Sequence, residues 1–192
     1  MTTQDLFTRF QQRLAALGGT EGHQASNLPA AASIIADHPA LADRKLVIPP
    51  DFSDSRPWSR ILPLLREKGI NIREADSPAG IADAPAGLSS AELAVAETGS
   101  VLMAENSLVA RAVSMLTMTH FVLIRACDLV PMLDDVGKRL QQLTQAGPDQ
   151  RHYISLITGP SRTSDIERSL TIGVQGPKVM CILVVTDWET EL

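Results

Sequence analysis

The chain has 192 residues, of which 44% are hydrophobic and 20% are charged, and this composition predicts a folded globular protein and excludes extensive disorder. Its length favours a single domain spanning 1–192, because two domains would each fall below the usual size. The 22 acidic and 17 basic side chains give a net charge of −5, which argues against nucleic acids and anionic membranes as partners.

The first half of the chain predicts helices and strands in alternation. Leucine and phenylalanine side chains recur at helical spacing over about 3–17 and two glycines follow, so we expect an N-terminal amphipathic helix there. A short helix is expected at 28–36, before a histidine and a proline end it. Apolar runs and helical spacing then predict a strand at 45–48, a helix at 58–65 and a strand at 71–74.

The second half predicts further strands between two helices. The segment 90–96 contains good helix formers, and an apolar stripe over 129–143 predicts a longer helix that starts beside Asp128 and Pro131. Strands are expected at the apolar runs 101–103, 121–124, 153–157 and 179–185. Because strands alternate with helices and the last strand is apolar on both faces, the sequence predicts an α/β fold with a layered, largely parallel sheet flanked by helices.

Membrane spans and metal centres are not expected. Every apolar run is shorter than the roughly 18 residues that a membrane-spanning helix needs, and charged residues interrupt the N-terminus, so we expect a cytoplasmic protein. The two cysteines, Cys127 and Cys181, lie in apolar stretches without closely spaced partners and are expected to be buried free thiols. We therefore expect no metal site and no cofactor in this chain.

The segment 159–167, Gly-Pro-Ser-Arg-Thr-Ser-Asp-Ile-Glu, combines turn residues with anion-binding chemistry directly after a predicted strand. Ser164 and Glu167 have the spacing of a capping box, which would leave backbone N–H groups exposed at the start of a helical turn. A carboxylate or phosphate could be held there by those N–H groups together with Ser161, Arg162 and Thr163.

A structural alternative for this segment stays open. Ser164 and Glu167 could only cap a helix, and Arg162 could pair with Asp165. In that case the loop binds no ligand, and residue chemistry alone does not decide between the two interpretations.

A second compact turn, Thr98-Gly99-Ser100 after Glu97, places two hydroxyl groups beside a glycine that permits close backbone approach to an anion. Its structural alternative is a helix that ends at Gly99. Arg111 and His120 could reach the same strand ends. A surface arginine and a core histidine with a hydrogen-bond partner are equally ordinary explanations of these two residues.

The turn over 173–177 lies just before the last predicted strand, and in it Gln175 and Gly176 are candidate ligand contacts, because the amide can donate and accept hydrogen bonds. Ordinary turn formation also explains it. The sequence shows no Ser-His-Asp order that could be assigned, no glycine-rich fingerprint of a nucleotide site and no histidine pair at helical metal spacing.

Taken together and in this order, four features resemble the lactate-utilisation protein C family, which is built on the LUD domain. They are the segment 96–100, Arg111 with His120, the segment 159–167 and the turn 173–177. Their joint occurrence is much more specific than any one motif. The resemblance covers the chain from about residue 80 to the last strand.

The resemblance implies a fold similar to the sugar-phosphate isomerase and coenzyme A-transferase-like superfamily. It also implies a role in bacterial oxidation of L-lactate to pyruvate beside separate iron-sulfur proteins. Because this chain has only two cysteines, any cluster would belong to a partner protein. We therefore expect an accessory component that binds a small anionic metabolite.

Two other functions stay open. The superfamily likeness suggests an isomerase- or transferase-like enzyme acting on a phosphorylated or acyl substrate, with Glu97, Asp165 or Glu167 as acid or base. A stand-alone metabolite sensor, in which a ligand changes an oligomer surface, is the third. The sequence leaves open whether the chain forms a homo-oligomer.

The chain departs from the family pattern at two positions. Thr117 stands where the family commonly has a proline three residues before the matching histidine, and Gln175 stands where it commonly has the histidine of His-Gly-Pro. An amide cannot act as an acid or base near neutral pH. If that histidine moves protons in relatives, this chain lacks that role.

Overall fold

The computed structural model describes residues 2–55, 57–164, 170–173 and 176–189. Helix α1 begins with a capping box in which the Thr2 hydroxyl accepts the Asp5 N–H and the Asp5 carboxylate accepts the Thr2 N–H. The helices are α1 (Thr3–Ala16), α2 (Leu28–Ala36), α3 (Ile61–Glu67), α4 (Pro78–Ile81), α5 (Leu108–Leu116) and α6 (Val136–Thr144). None of the helices in these described ranges has the length and apolar composition needed to cross a bilayer.

The first sheet has six strands, all parallel. Its spatial order is β1 (Thr20–Asn27), β12 (Val179–Asp187), β7 (Thr119–Arg125), β4 (Ala86–Ser90), β2 (Lys45–Ile48) and β3 (Asn71–Glu74). The two strands β7 and β12 pair along their length, and their middle residues are fully buried. The predicted α/β fold with a parallel sheet flanked by helices is confirmed.

The two faces of this sheet are buried differently. Phe121 and Leu123 point to one face, where they share a core with α2 and α3. Val122 and Ile124 point to the other face, where α1 and a second sheet cover them. Alternate residues of one strand thus belong to two cores, and this explains why the strand is apolar without interruption.

The second sheet is mixed rather than parallel. Its order is β8 (Leu129–Val130), β5 (Leu93–Val95), β6 (Ser100–Glu105) and β9 (Tyr153–Ile157). β6 pairs antiparallel with both β5 and β9. Strands β10 (Arg162–Ser164) and β11 (Leu170–Ile172) form a separate antiparallel pair.

One predicted helix is wrong, and another begins later than predicted. The segment 90–96 contains the buried strand β5, because Leu93–Val95 hydrogen-bonds to β6 and this pairing outweighs the helix propensity of its residues. The helix predicted over 129–143 begins only at Val136, and Leu129–Val130 is a strand. Pro131 explains the second error, since a proline disfavours the helical conformation of the residue before it.

The expectation for the cysteines is half right. Cys181 is buried in β12, as expected. Cys127 is exposed, because it lies in the short 3-10 turn Ala126–Asp128 that follows β7 rather than inside the strand.

Candidate functional site

The order of the parallel strands creates a crevice between β2 and β4. From β2 the chain continues to β3 on one side, whereas from β4 it continues, through the second sheet and α5, to β7 on the other side. Neighbouring strands whose connections leave in opposite directions define a topological switch point, where ligands bind in open α/β sheets. The two strands share a single paired position, Val47 with Gly87.

A cleft of about 490 Å³ lies at this point, beyond the carboxyl ends of the strands. We call it the carboxyl-edge cleft. One wall follows the first sheet and carries Asp51 after β2, Ser90 at the end of β4 and Arg125 at the end of β7. The other wall carries Glu105 at the end of β6, and the remaining charged lining side chains are Asp54, Glu92, Arg139 and Arg151.

Among the described residues, three arginines line the cleft, and two of them have carboxylate partners. Arg139 forms an ion pair with Glu92. Arg125 pairs with Asp128 and lies over the ring of Trp188 at 5.0 Å from its centroid. The Nε atom of Arg151 is buried and, among the residues that the structure describes, has no hydrogen-bond partner. A buried donor without an acceptor is costly, so this guanidinium is suited to an added anion.

Glu105 is the most perturbed carboxyl group of the cleft. Its residue is only 8% exposed, and desolvation raises its pKa from 4.5 to about 7. The nearby charges of Asp51 and Glu92 also raise it, whereas Arg151 lowers it. Near neutral pH both the acid and the carboxylate are populated, so this group can donate or accept a proton there.

The residues predicted from the two turn motifs gather at the opposite, amino edge of the parallel sheet. The Thr98 hydroxyl lies 2.7 Å from that of Ser100, which lies 2.6 Å from that of Thr158. We use the name amino-edge cluster for Thr98, Ser100, Thr158, Ser161 and Arg162, because their segments approach the turn between α1 and β1. Leu17 in that turn approaches both Gly99 and Gly159.

The close backbone approach expected at Gly99 is blocked in this structure. A Cβ atom placed there would meet Leu17 at 3.1 Å and Arg13 at 3.3 Å, so α1 already covers the turn. Gly99 ends the hairpin turn between β5 and β6 with φ +74°, rather than a helix. Glu97, proposed as an acid or base, accepts a hydrogen bond from the Leu133 N–H at 3.0 Å.

The contacts that the structure gives for Arg111 and His120 are with residues outside the amino-edge cluster. Arg111 stacks over Tyr153, 5.7 Å from the ring centroid, and Tyr153 pairs with Glu105 at the far end of the β6–β9 ladder from Ser100. His120 is buried in β7, with its Nε2 atom 2.6 Å from the Ser89 hydroxyl. Desolvation lowers the pKa of His120 from 6.5 to about 4, so it is neutral in the folded protein at pH 7.

The remaining predicted residues lie near or within the segment 162–176. Arg162–Ser164 is the strand β10, and Arg162 approaches Gly18, whose added Cβ would lie 3.8 Å from its guanidinium. A Cβ at Gly176 would contact Ser161 at 3.4 Å. Asp165, Glu167 and Gln175 lie outside the described residues. Ligand binding at these positions stays a prediction.

Sequence reasoning missed the carboxyl-edge cleft, although part of its signal was present. Asp51 and Arg125 each come at or just after the end of a run predicted as a buried strand. The carboxyl ends of parallel strands meet at one sheet edge, so these polar residues could have been grouped. The strand ending at Ser90 was not recognised, and nothing in the sequence marks Arg151.

Comparison with known proteins identifies the family of this chain. Residues 61–185 match the family described as the LUD domain. Proteins named lactate utilization protein C from Halalkalibacterium halodurans and Shouchella clausii are 34% and 35% identical over 97 and 96 residues. Each match covers 50% of this chain and 42% of the relative, so the chain spans less than half the length of these relatives.

A solved structure supports the fold over almost the whole chain. The crystal structure of a DUF162 family protein from Deinococcus radiodurans is similar with a TM-score of 0.59 at 19% identity, covering 96% of this chain and 99% of that one. This likeness concerns the fold alone. The family match covers more than half of the chain and confirms the resemblance seen in its motifs. The chain belongs to the LUD domain family.

Proposed function

We propose that this chain is an accessory component of lactate utilisation that binds a small carboxylate anion, such as lactate or pyruvate, in the carboxyl-edge cleft. Its relatives are named lactate utilization protein C, and these names support a role in lactate utilisation. The residue chemistry of the cleft supports the ligand class. The family resemblance suggests separate iron-sulfur proteins as the partners in the oxidation of L-lactate. The two cysteines of this chain, one exposed and one buried, are too few to bind a cluster themselves.

The observation that carries the proposal is the buried Nε of Arg151, which has no acceptor among the described residues. The other two described arginines of the cleft, Arg139 and Arg125, are already paired with Glu92 and Asp128. A carboxylate in the cleft would offset the charge of Arg151, and the planar guanidinium favours a bidentate contact. The switch point of the parallel sheet is also where such ligands bind in other open α/β sheets.

Glu105 gives the same site a second contact. In its protonated form the carboxyl group can donate a hydrogen bond to a carbonyl or hydroxyl oxygen next to the bound carboxylate. A 2-hydroxy or 2-oxo acid offers both groups on adjacent carbons. Because the pKa of Glu105 is raised to about 7, the donor form is present at neutral pH.

The same carboxyl group supports a second candidate function, an isomerase- or transferase-like enzyme. A buried glutamate that titrates near pH 7 is suited to general acid-base catalysis. In this alternative Glu105, rather than Glu97, is the proposed acid or base. Turnover of a phosphorylated or acyl substrate by the purified chain, abolished in Glu105→Gln, would favour the enzyme, whereas binding without turnover favours the accessory function.

Thermal-shift titration of the purified chain with lactate, pyruvate and a sugar phosphate tests the site. Two arginine variants separate the two edges of the sheet: Arg151→Gln in the carboxyl-edge cleft and Arg162→Gln in the amino-edge cluster. We expect Arg151→Gln to weaken binding about 10- to 100-fold, as for loss of a charged hydrogen bond, and Arg162→Gln to leave it unchanged. The reverse pattern would move the ligand to the amino edge, and no shift with any ligand would refute the proposal.

The proposed role in lactate utilisation can be tested separately in the cell. Deletion of the gene in the source organism should slow growth on L-lactate, and the wild-type gene should restore it. A variant carrying Arg151→Gln should restore growth only partly if anion binding serves lactate utilisation. Unchanged growth after deletion would contradict the role even if the purified chain binds lactate.

A further inference from the structure

A cluster of metal-ligand side chains lies on the first sheet, away from the carboxyl-edge cleft. Glu21 and His23 are two residues apart on β1, and Cys181 is paired with Glu21 across the parallel β1–β12 ladder. Their ligand atoms all lie within 4.8 Å of one another. We infer that Glu21, His23 and Cys181 form a binding site for a divalent transition metal of the zinc class.

The register of the two strands explains why these side chains meet. Alternate residues of a strand point to the same face, so Glu21 and His23 share a face. Gly22 between them faces α1, since a Cβ placed there would lie 2.6 Å from Leu14. The cluster therefore faces the opposite core, where Cys181 lies beside Phe121 in the next strand.

A fourth residue, His38, positions the cluster from above the sheet. Its ring meets Phe121 edge-on at 5.0 Å, and its Nε2 atom lies 3.3 Å from the Glu21 carboxylate. The Nδ1 atom accepts the Ala40 N–H at 3.1 Å. In the neutral ring the proton is then on Nε2, so His38 donates to Glu21 and is a positioning residue rather than a metal ligand.

The ligand set defines the class of metal. A thiolate, an imidazole and a carboxylate together suit zinc or cobalt(II), whereas magnesium and calcium prefer oxygen ligands. Bond lengths of about 2.0–2.3 Å at tetrahedral angles put neighbouring ligand atoms roughly 3.3–3.6 Å apart, so small side-chain rotations would close the observed spacing. The Glu21 oxygen already lies 3.4 Å from His23 Nε2.

The exposed side of the cluster lets a metal ion enter and leaves room for a water molecule as a further ligand. The side chains of Glu21 and His23 are 41% and 39% exposed, whereas Cys181 is buried. Burial, with a further contribution from Glu21, raises the pKa of the Cys181 thiol, so without a metal it is protonated. Binding forms the metal–sulfur bond and releases the thiol proton to solvent. Three protein ligands leave the fourth position to water.

The test is titration of the metal-free full chain with cobalt(II), followed by absorption spectroscopy. We expect one equivalent to give the ligand-field bands of a tetrahedral ion and a thiolate-to-cobalt charge-transfer band, both removed by excess zinc. Cys181→Ser should lose the charge-transfer band, and the matched control Cys127→Ser should keep it. His38→Gln should keep the band with roughly 10-fold weaker binding, because it alters the hydrogen bond that orients Glu21.

Several outcomes would overturn the inference. They are the absence of a charge-transfer band in the wild-type chain, its loss in Cys127→Ser, and its persistence in Cys181→Ser. Should Cys181→Ser fail to fold by circular dichroism, His23→Gln decides, because this half-exposed side chain can be changed without opening the core. Unchanged cobalt affinity in His23→Gln would refute the site. The metal site is independent of anion binding in the carboxyl-edge cleft.

Discussion

Replacing Glu105 with glutamine should make the protein more stable at high pH. The raised pKa means that the folded chain binds the Glu105 proton more tightly than the unfolded chain does. The contribution of Glu105 to the free energy of unfolding is fully present below pH 4.5 and is lost as the pH rises to about 7. A shift from 4.5 to about 7 corresponds to roughly 3 kcal/mol, so Glu105→Gln should raise the free energy of unfolding by up to about that amount at pH 8.

The gain should disappear in acid, because at pH 4 the wild-type carboxyl group is itself neutral. Urea unfolding at pH 4, 6 and 8, followed by circular dichroism, measures the difference at each pH. Glu67→Gln, which changes an exposed glutamate at the end of α3, is the control for general charge effects. An equal difference between Glu105→Gln and wild type at all three pH values would refute the reasoning.

His120 also affects how the stability of the protein depends on pH, and Glu105→Gln should make its effect visible. Its pKa falls from 6.5 to about 4 on burial, so its contribution to stability is present above pH 6.5 and is lost as the pH falls to about 4. That slope is opposite in sign to the slope from Glu105 and occupies nearly the same pH range. The two contributions largely cancel in the wild type, and Glu105→Gln should expose the acid sensitivity that comes from His120.

Three further predictions follow from local geometry. Gly87→Ala should destabilise the protein by about 1–3 kcal/mol in urea unfolding, because its Cβ would lie 2.8 Å from the buried Thr117 side chain; an unchanged midpoint would contradict this packing. Gly137→Ala should instead stabilise it by up to about 1 kcal/mol, since no described residue outside its own helical turn lies within 4 Å of the added methyl group in α6; a loss of stability would be the contrary result. Anion binding beside Arg151 should raise the pKa of Glu105 and take up protons at pH 7, seen as a buffer-dependent heat in calorimetry; binding without proton uptake would place the ligand elsewhere.

The sequence predicted those elements whose own residues determine their conformation. The strands at 45–48, 71–74 and 153–157 and the helix at 28–36 have the predicted bounds, because apolar runs and nearby turn residues define them. The strand Ala86–Ser90 was missed since its alanine, glycine and serine residues have no strand preference. Its conformation comes from pairing with β7 and from the close approach of Thr117 to Gly87.

The candidate site was harder to predict than the fold. Its parts converge only because β2 and β4 are neighbours, and strand order is not written in any local pattern. Arg139 and Arg151 come from outside the parallel sheet and carry no motif. The Ser100 hydroxyl of one predicted anion-binding turn lies within hydrogen-bond distance of the hydroxyls of Thr98 and of Thr158, the residue just before the segment 159–167.

The carboxyl-edge cleft is bounded by two separate hydrogen-bonded sheets, with Asp51 and Arg125 on one side and Glu105 on the other. A ligand that contacts residues of both sheets would link the two sheets and restrict their relative motion. Its arrival should therefore slow amide exchange in β4 and β6 together, although those strands belong to different ladders. Binding of a small metabolite would then make both sheets more rigid, rather than move a single loop.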